Sequence, residues 1–176
     1  MLTSDRLYLR LMEEDDIPYK VKWINDSKVN TTLNFSYPIS EIGTRHWLNK
    51  VATDGTRRDF IVCLKENDRP IGYGGLLGID IKNSKAESYM GIGETDCWGK
   101  GYAKEIRAMI LEYAFLELHL NKVYSYVWEE NIKMIKVNEK AGFKIDGTLR
   151  DDVYTHGEFR NRVIMSILRE EYIDNR

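Results

Sequence analysis

Two glycines, Gly99 and Gly101, stand one residue apart in CWGKGYAKEI, directly ahead of a run with helical periodicity. A helix N-terminus leaves four backbone N–H groups without intrahelical partners, and with the macrodipole these groups form an anion site. Glycine lets the backbone turn sharply there and approach a phosphate with no Cβ in the way. Lys100 and Lys104 add positive charge beside it. The stretch admits two readings, a tight corner in the chain or a seat for a phosphate-bearing group. It is not a Walker loop, since no Gly-Lys-Ser/Thr follows, nor a full G-x-G-x-x-G, since Lys104 holds the third position.

The elements that must position this loop are legible from periodicity. RLYLRLM (6–12) alternates as a strand, and EEDD behind it suits a first helical turn. The polar, proline-bearing segment 26–40 reads as a loop long enough to wall a substrate, followed by a short helix over 40–51. DFIVCLKENDRPIGYGGLLGIDI (59–81) reads as strand, turn at Glu66–Pro70, strand, and KAESYMGIGE (85–94) as another strand. Ile106, Met109, Ile110, Tyr113, Leu116 and Leu120 recur at helical spacing from about Tyr102 to Leu120. KVYSYVW (122–128) is a strand and NIKMIKVNEKAGF (131–143) a short helix ended by Gly142. Two last strands flank a turn at His156–Gly157. Short links favour antiparallel pairing early, and the helical crossover favours a parallel neighbourhood between strands 85–94 and 122–128. One α/β domain over 1–176 is expected, with a mixed twisted sheet of about seven strands and about four helices.

Composition narrows the function. The chain has 176 residues, 43% apolar and 31% charged, the balance of a globular protein. Its net charge of −2 and pI near 6.0 argue against nucleic-acid binding by bulk electrostatics. No apolar run approaches the roughly 18 residues of a membrane span, and MLTSDRLYLR lacks the apolar core of a signal peptide. The two cysteines sit far from metal-ligand spacing, so no metal is expected, and a reducing cytoplasm fits them.

Strand, W-G-K-G-Y-A, long helix, strand, then N-x-x-M-x-x-V-N-E-K-A-G-F resembles the GNAT superfamily of N-acetyltransferases. Within it the chain is most similar to the branch of ribosomal-protein N-terminal and spermidine N-acetyltransferases. The resemblance covers nearly the whole chain and is most specific over 86–143. It implies acetyl-CoA lying where two neighbouring parallel strands, the fourth and fifth, splay apart. The pantetheine arm would pair with backbone of Ile92, Gly93 and Glu94, and the pyrophosphate would sit on Gly99, Lys100, Gly101, Tyr102 and Ala103, with Lys104 beside them. Trp98 stands where the family has Gln or Arg, and the resemblance implies a loop that meets the cofactor through backbone donors. Asn131 matches the family's pantetheine-contacting Asn, and Met134 would face the cofactor or simply pack its helix on the sheet.

An amine is protonated at pH 7 and must lose a proton to attack a thioester, and the departing thiolate is best protonated. The resemblance implies Glu87, eleven residues before Trp98, as the base. It places Asn138 where many members carry a Tyr acid; its amide would contact the cofactor by hydrogen-bonding the thioester or the sulfur, but yields no proton at useful pH. Tyr154, a water or no dedicated acid remain open. Candidate acceptor contacts are Trp23, Asn25, Asn34, Phe35, Tyr37, Tyr154 and His156, while His46 and His119 read as structural or surface residues.

The leading reading is an acetyl-CoA-dependent N-acetyltransferase acting on a primary amine: a peptide N-terminus, an amino sugar or a polyamine. On the substrate side Asp26 and Glu41 face Lys22, Lys28, Arg45 and Lys50, a balance that disfavours polyamines. The alternative is a non-catalytic acetyl-CoA-binding sensor, favoured by Asn138 and opposed by Glu87. A homodimer is compatible with either.

Overall fold

The computed structural model describes residues 1–31, 33, 38–155 and 157–174. Its strands are β1 (Leu2–Thr3), β2 (Leu7–Leu11), β3 (Arg58–Leu64), β4 (Pro70–Asp80), β5 (Lys85–Ile92), β6 (Lys122–Trp128), β7 (Lys144–Thr155) and β8 (Glu158–Leu168). Helices are α1 (Ile17–Asn25), α2 (Ser27–Asn30), α3 (Glu41–Val51), α4 (Tyr102–Glu112), α5 (Ile132–Lys140) and α6 (Arg169–Asp174). One sheet runs β1-β2-β3-β4-β5-β6-β8-β7 and is antiparallel except between β5 and β6. The expected mixed sheet is present with eight strands in place of seven, because the two-residue β1 has no periodicity to betray it. Two more helices than expected are present, α2 of four residues and α6 of six.

The run FIVCL in β3 is continuously apolar because both faces of the sheet are covered. Phe60, Val62 and Leu64 point to the face carrying α4, where Ile106, Met109, Ile110 and Phe115 complete one core. Ile61 and Cys63 point to the opposite face, against Trp23, Val29, Leu48 and Tyr73 from α1, α2, α3 and β4. The long helix expected to Leu120 departs from regular α geometry after Glu112: Tyr113–Glu117 is a wider π-helical turn that still buries Ala114 and Phe115.

The parallel β5–β6 contact is brief. Lys85, Ala86 and Glu87 pair with Lys122, Val123 and Tyr124, and there the ladder stops. β6 continues to Trp128 paired with β8, while β5 continues to Ile92 paired with β4. Each strand is therefore held on its outer side and open on its inner side, which makes a V.

Candidate active site

A cleft of about 940 Å³ occupies that V and reaches both faces of the sheet. Side chains alternate along β5, so Ser88 and Met90 face α4 while Glu87 and Tyr89 face α1 and α3. Glu87 is half-buried, and that burial raises its carboxyl above the ordinary range, with Arg162 opposing the rise. Ser88 Oγ lies 3.3 Å from the Tyr124 carbonyl and accepts a 2.6 Å hydrogen bond from Arg107 Nη1 of α4. Arg107 is 1% exposed, and its Nε has no partner among the described residues. Burial pulls the guanidinium down to about 10, which still leaves it charged at neutral pH.

At one end of the cleft the glycine loop opens α4. Gly99 and Gly101 have φ of 75° and 83°, the left-handed region that side chains resist, and Gly101 is the N-cap. Nothing lies within 4 Å of a Cβ built on Gly99, so the bare backbone faces open space. Gly99, Gly101, Tyr102 and Ala103 line the cleft, as does Trp98, whose Nε1 donates to the Ile92 carbonyl at 2.8 Å. The residue standing where the family has Gln or Arg thus ties the loop to the end of β5. Lys100 and Lys104 are exposed and do not line the cleft.

Of the β5 backbone expected to meet the cofactor, only Ile92 lines the cleft. The amides of Gly93 and Glu94 both donate to Ile71 O, and Gly93 lies flat on Trp23, where any Cβ would clash. The Glu94 carboxylate accepts from Lys22 Nζ, Trp23 Nε1 and Arg69 Nη2. Its burial alone would raise its pKa, and these donors outweigh that and hold it below the usual carboxylate value. Gly93 and Glu94 are structural here, because the chain turns away from the V at their position.

On the far wall, Asn131 caps α5 by accepting from the Met134 amide at 3.1 Å, and both residues line the cleft. Asn138 does not: it is fully buried, and its amide points at Met165 Sδ, 3.7 Å away. Among the proposed acceptor contacts, Trp23 is core and Asn25 is occupied with the backbone of Ile39. Tyr154 is 63% exposed against Phe159, outside the cleft. Asn34, Phe35, Tyr37 and His156 lie outside the described residues. What sequence reasoning missed is Ser88 and Arg107 on one face, and Lys20, Trp47, Arg57 and Asp59 on the other. Arg107 hides inside an ordinary amphipathic helix pattern; its position three to four residues from Ala103, Ile110 and Leu111 on the buried stripe was the available signal.

A parallel pair parted beside a glycine-opened helix N-terminus is the arrangement the motif order implied. The family model for the acetyltransferase (GNAT) domain matches residues 6–144. The chain belongs to the GNAT acetyltransferase family. This acetyltransferase is 30% identical over 175 residues to the uncharacterized N-acetyltransferase p20 of Bacillus licheniformis, covering 97% of each chain. It is 28% identical to the spermidine N(1)-acetyltransferase of Escherichia coli strain K12, covering 98% of this chain and 91% of the relative. Among solved structures, spermidine N-acetyltransferase from Vibrio cholerae in complex with CoA and spermine superposes with a TM-score of 0.90 at 27% identity. That match spans 97% of this chain and 99% of the other. The acetyltransferase uses acetyl-CoA as donor and transfers acetyl to an amine.

Proposed function

We propose that this acetyltransferase acylates a small primary amine in the β5–β6 cleft, with Glu87 as the general base. The observation that carries the reading is a half-buried carboxylate lining the cleft at the last residue of β5 that pairs with β6, its pKa raised by that burial. Burial weakens its hold on the ionised form and makes it a better proton acceptor near neutral pH. The open edge of β5 up to Ile92, the loop Gly99–Ala103 and the α5 residues Asn131 and Met134 would hold CoA. The residues fit it: left-handed glycines leave backbone donors of α4 uncovered, and the strands are already apart. When bound, the cofactor supplies an acetyl thioester that an uncharged amine attacks directly, so no nucleophile is required of the chain. Glu87 takes the proton of the incoming ammonium. Arg107 adds a fixed positive charge to the cleft, which favours negative charge developing there. Asn138, turned into the core, has no part in proton transfer.

A cytoplasmic setting suits the donor and the two free, buried thiols of Cys63 and Cys97. The experiment is thiol release from acetyl-CoA with a panel of amines. Amine-dependent, saturable release that collapses in Glu87→Gln supports the reading. CoA binding with no release on any amine would return the protein to the sensor alternative.

A further inference from the structure

The end of the cleft on the Glu87 face is built around Trp47 of α3. Lys20 Nζ sits 3.2 Å from the centroid of its ring, and the Arg57 guanidinium carbon 5.1 Å from it. Lys20 is only 8% exposed and makes no hydrogen bond or ion pair among the described residues. Arg57 binds Asp59 through Nε and Nη2, each at 2.7 Å, which leaves Nη1 over. Asp59 also accepts from Tyr89 Oη, so its charge is already spoken for. All of these residues line the cleft. A buried ammonium with an aromatic face and no anion hydrogen-bonded to it, Asp59 being held by Arg57 and Tyr89, is incompletely compensated, and it lines the cleft.

The opposite charge is scarce on this side. Among the described residues the carboxylates lining the cleft are Asp59 and Glu87, and Asp59 is bound to Arg57. Arg162 is matched by Asp152, outside the cleft lining, so it offers no spare carboxylate either. Glu87 is then the one cleft carboxylate among the described residues without a cation hydrogen-bonded to it, and a polycation needs several.

Resting on the N-acetyltransferase reading, we propose that Lys20 and Arg57, bracketing Trp47, form an anion subsite, and that the acceptor is a primary amine carrying a carboxylate or phosphate. The amine lies at Glu87 and the anionic group at Lys20. Both donors line the same cleft as Glu87 on the same face of β5, across the sheet from Arg107, so amine and anion would be held on one side of the sheet.

The test compares matched acceptors by thiol release: β-alanine against β-alaninamide, glucosamine 6-phosphate against glucosamine, with spermidine as the polycation. At least one anionic member should exceed its neutral partner in kcat/KM by about tenfold, the scale of one charge-assisted contact. Lys20→Met should cut that ratio about tenfold, and Lys20→Arg should keep most of it. The pair that responds tells carboxylate from phosphate. A preference for spermidine, a ratio unchanged in Lys20→Met, or weakened CoA binding in that variant would overturn the subsite. If no amine is acetylated, the acetyl-transfer reading fails by itself, and inorganic phosphate titrated into CoA-loaded protein decides the subsite alone. A saturable change in tryptophan emission that Lys20→Met abolishes supports it, and no change overturns it.

Discussion

Arg107 Nη1 donates to Ser88 Oγ at 2.6 Å, one residue beyond the last β5–β6 pair, and the guanidinium has no carboxylate partner among the described residues. The same hydroxyl lies 3.3 Å from the Tyr124 carbonyl, so one serine joins α4, β5 and β6 at the apex of the V. Removing one partner of a buried polar pair costs more than removing both. Ser88→Ala should therefore destabilise by about 1–3 kcal/mol, since it strands a buried guanidinium. Ser88→Ala with Arg107→Met should recover most of that loss. Urea denaturation of the two singles and the double closes the cycle, and additive losses would contradict it.

The glycine loop makes a separate demand. Gly101 has φ 83°, and the nearest atom to an added Cβ is Arg6 Nη2 at 3.6 Å, an ordinary contact. Gly101→Ala should thus cost about 1–2 kcal/mol through backbone strain alone. Because the strained residue is the N-cap of α4, the KM for acetyl-CoA should rise with little change at saturating donor. Calorimetry and donor-titrated kinetics measure the two effects.

The parallel neighbourhood and the glycine-opened helix were legible because period, β-branched strands and punctuating glycines are local signals. Whether backbone at Gly93 and Glu94 faces the V was not. It depends on where the chain leaves the sheet, and Ile71 O takes both amides. Asn138 misled for a related reason: its position in V-N-E-K fixes its place on α5 but not which face meets the core. Lys20 and Arg57 lie 37 residues apart, and only the packing of α1 and α3 on the sheet brings both to Trp47.

Lys20 ties recognition to stability. Burial is the main cause that lowers its pKa to about 7; Asp59 opposes the shift and Arg57 adds to it. The folded chain then holds fewer protons than the unfolded one between about 7 and the ordinary 10.5. Its penalty is full below pH 7 and fades as pH rises through that window. Lys20→Met should raise Tm most at pH 6–7, with the gain shrinking toward about pH 10.5. Differential scanning calorimetry across that range measures it; a Tm gain independent of pH would contradict the buried ammonium.

The acid limb of the pH–rate profile tests the central assignment. With Glu87 as base, kcat/KM should fall on the acid side with an apparent pKa above the ordinary carboxylate value of 4.5, as its burial dictates. Glu87→Gln should lower kcat by about 10²–10⁴ and remove that limb, leaving only the titration of the amine itself. Stopped thiol-release assays from pH 5 to 9 on wild type and Glu87→Gln, at saturating acetyl-CoA, give the answer. With Glu87 as base the variant is slow and lacks the limb; a variant with wild-type rate and an unchanged profile would rule Glu87 out as the base.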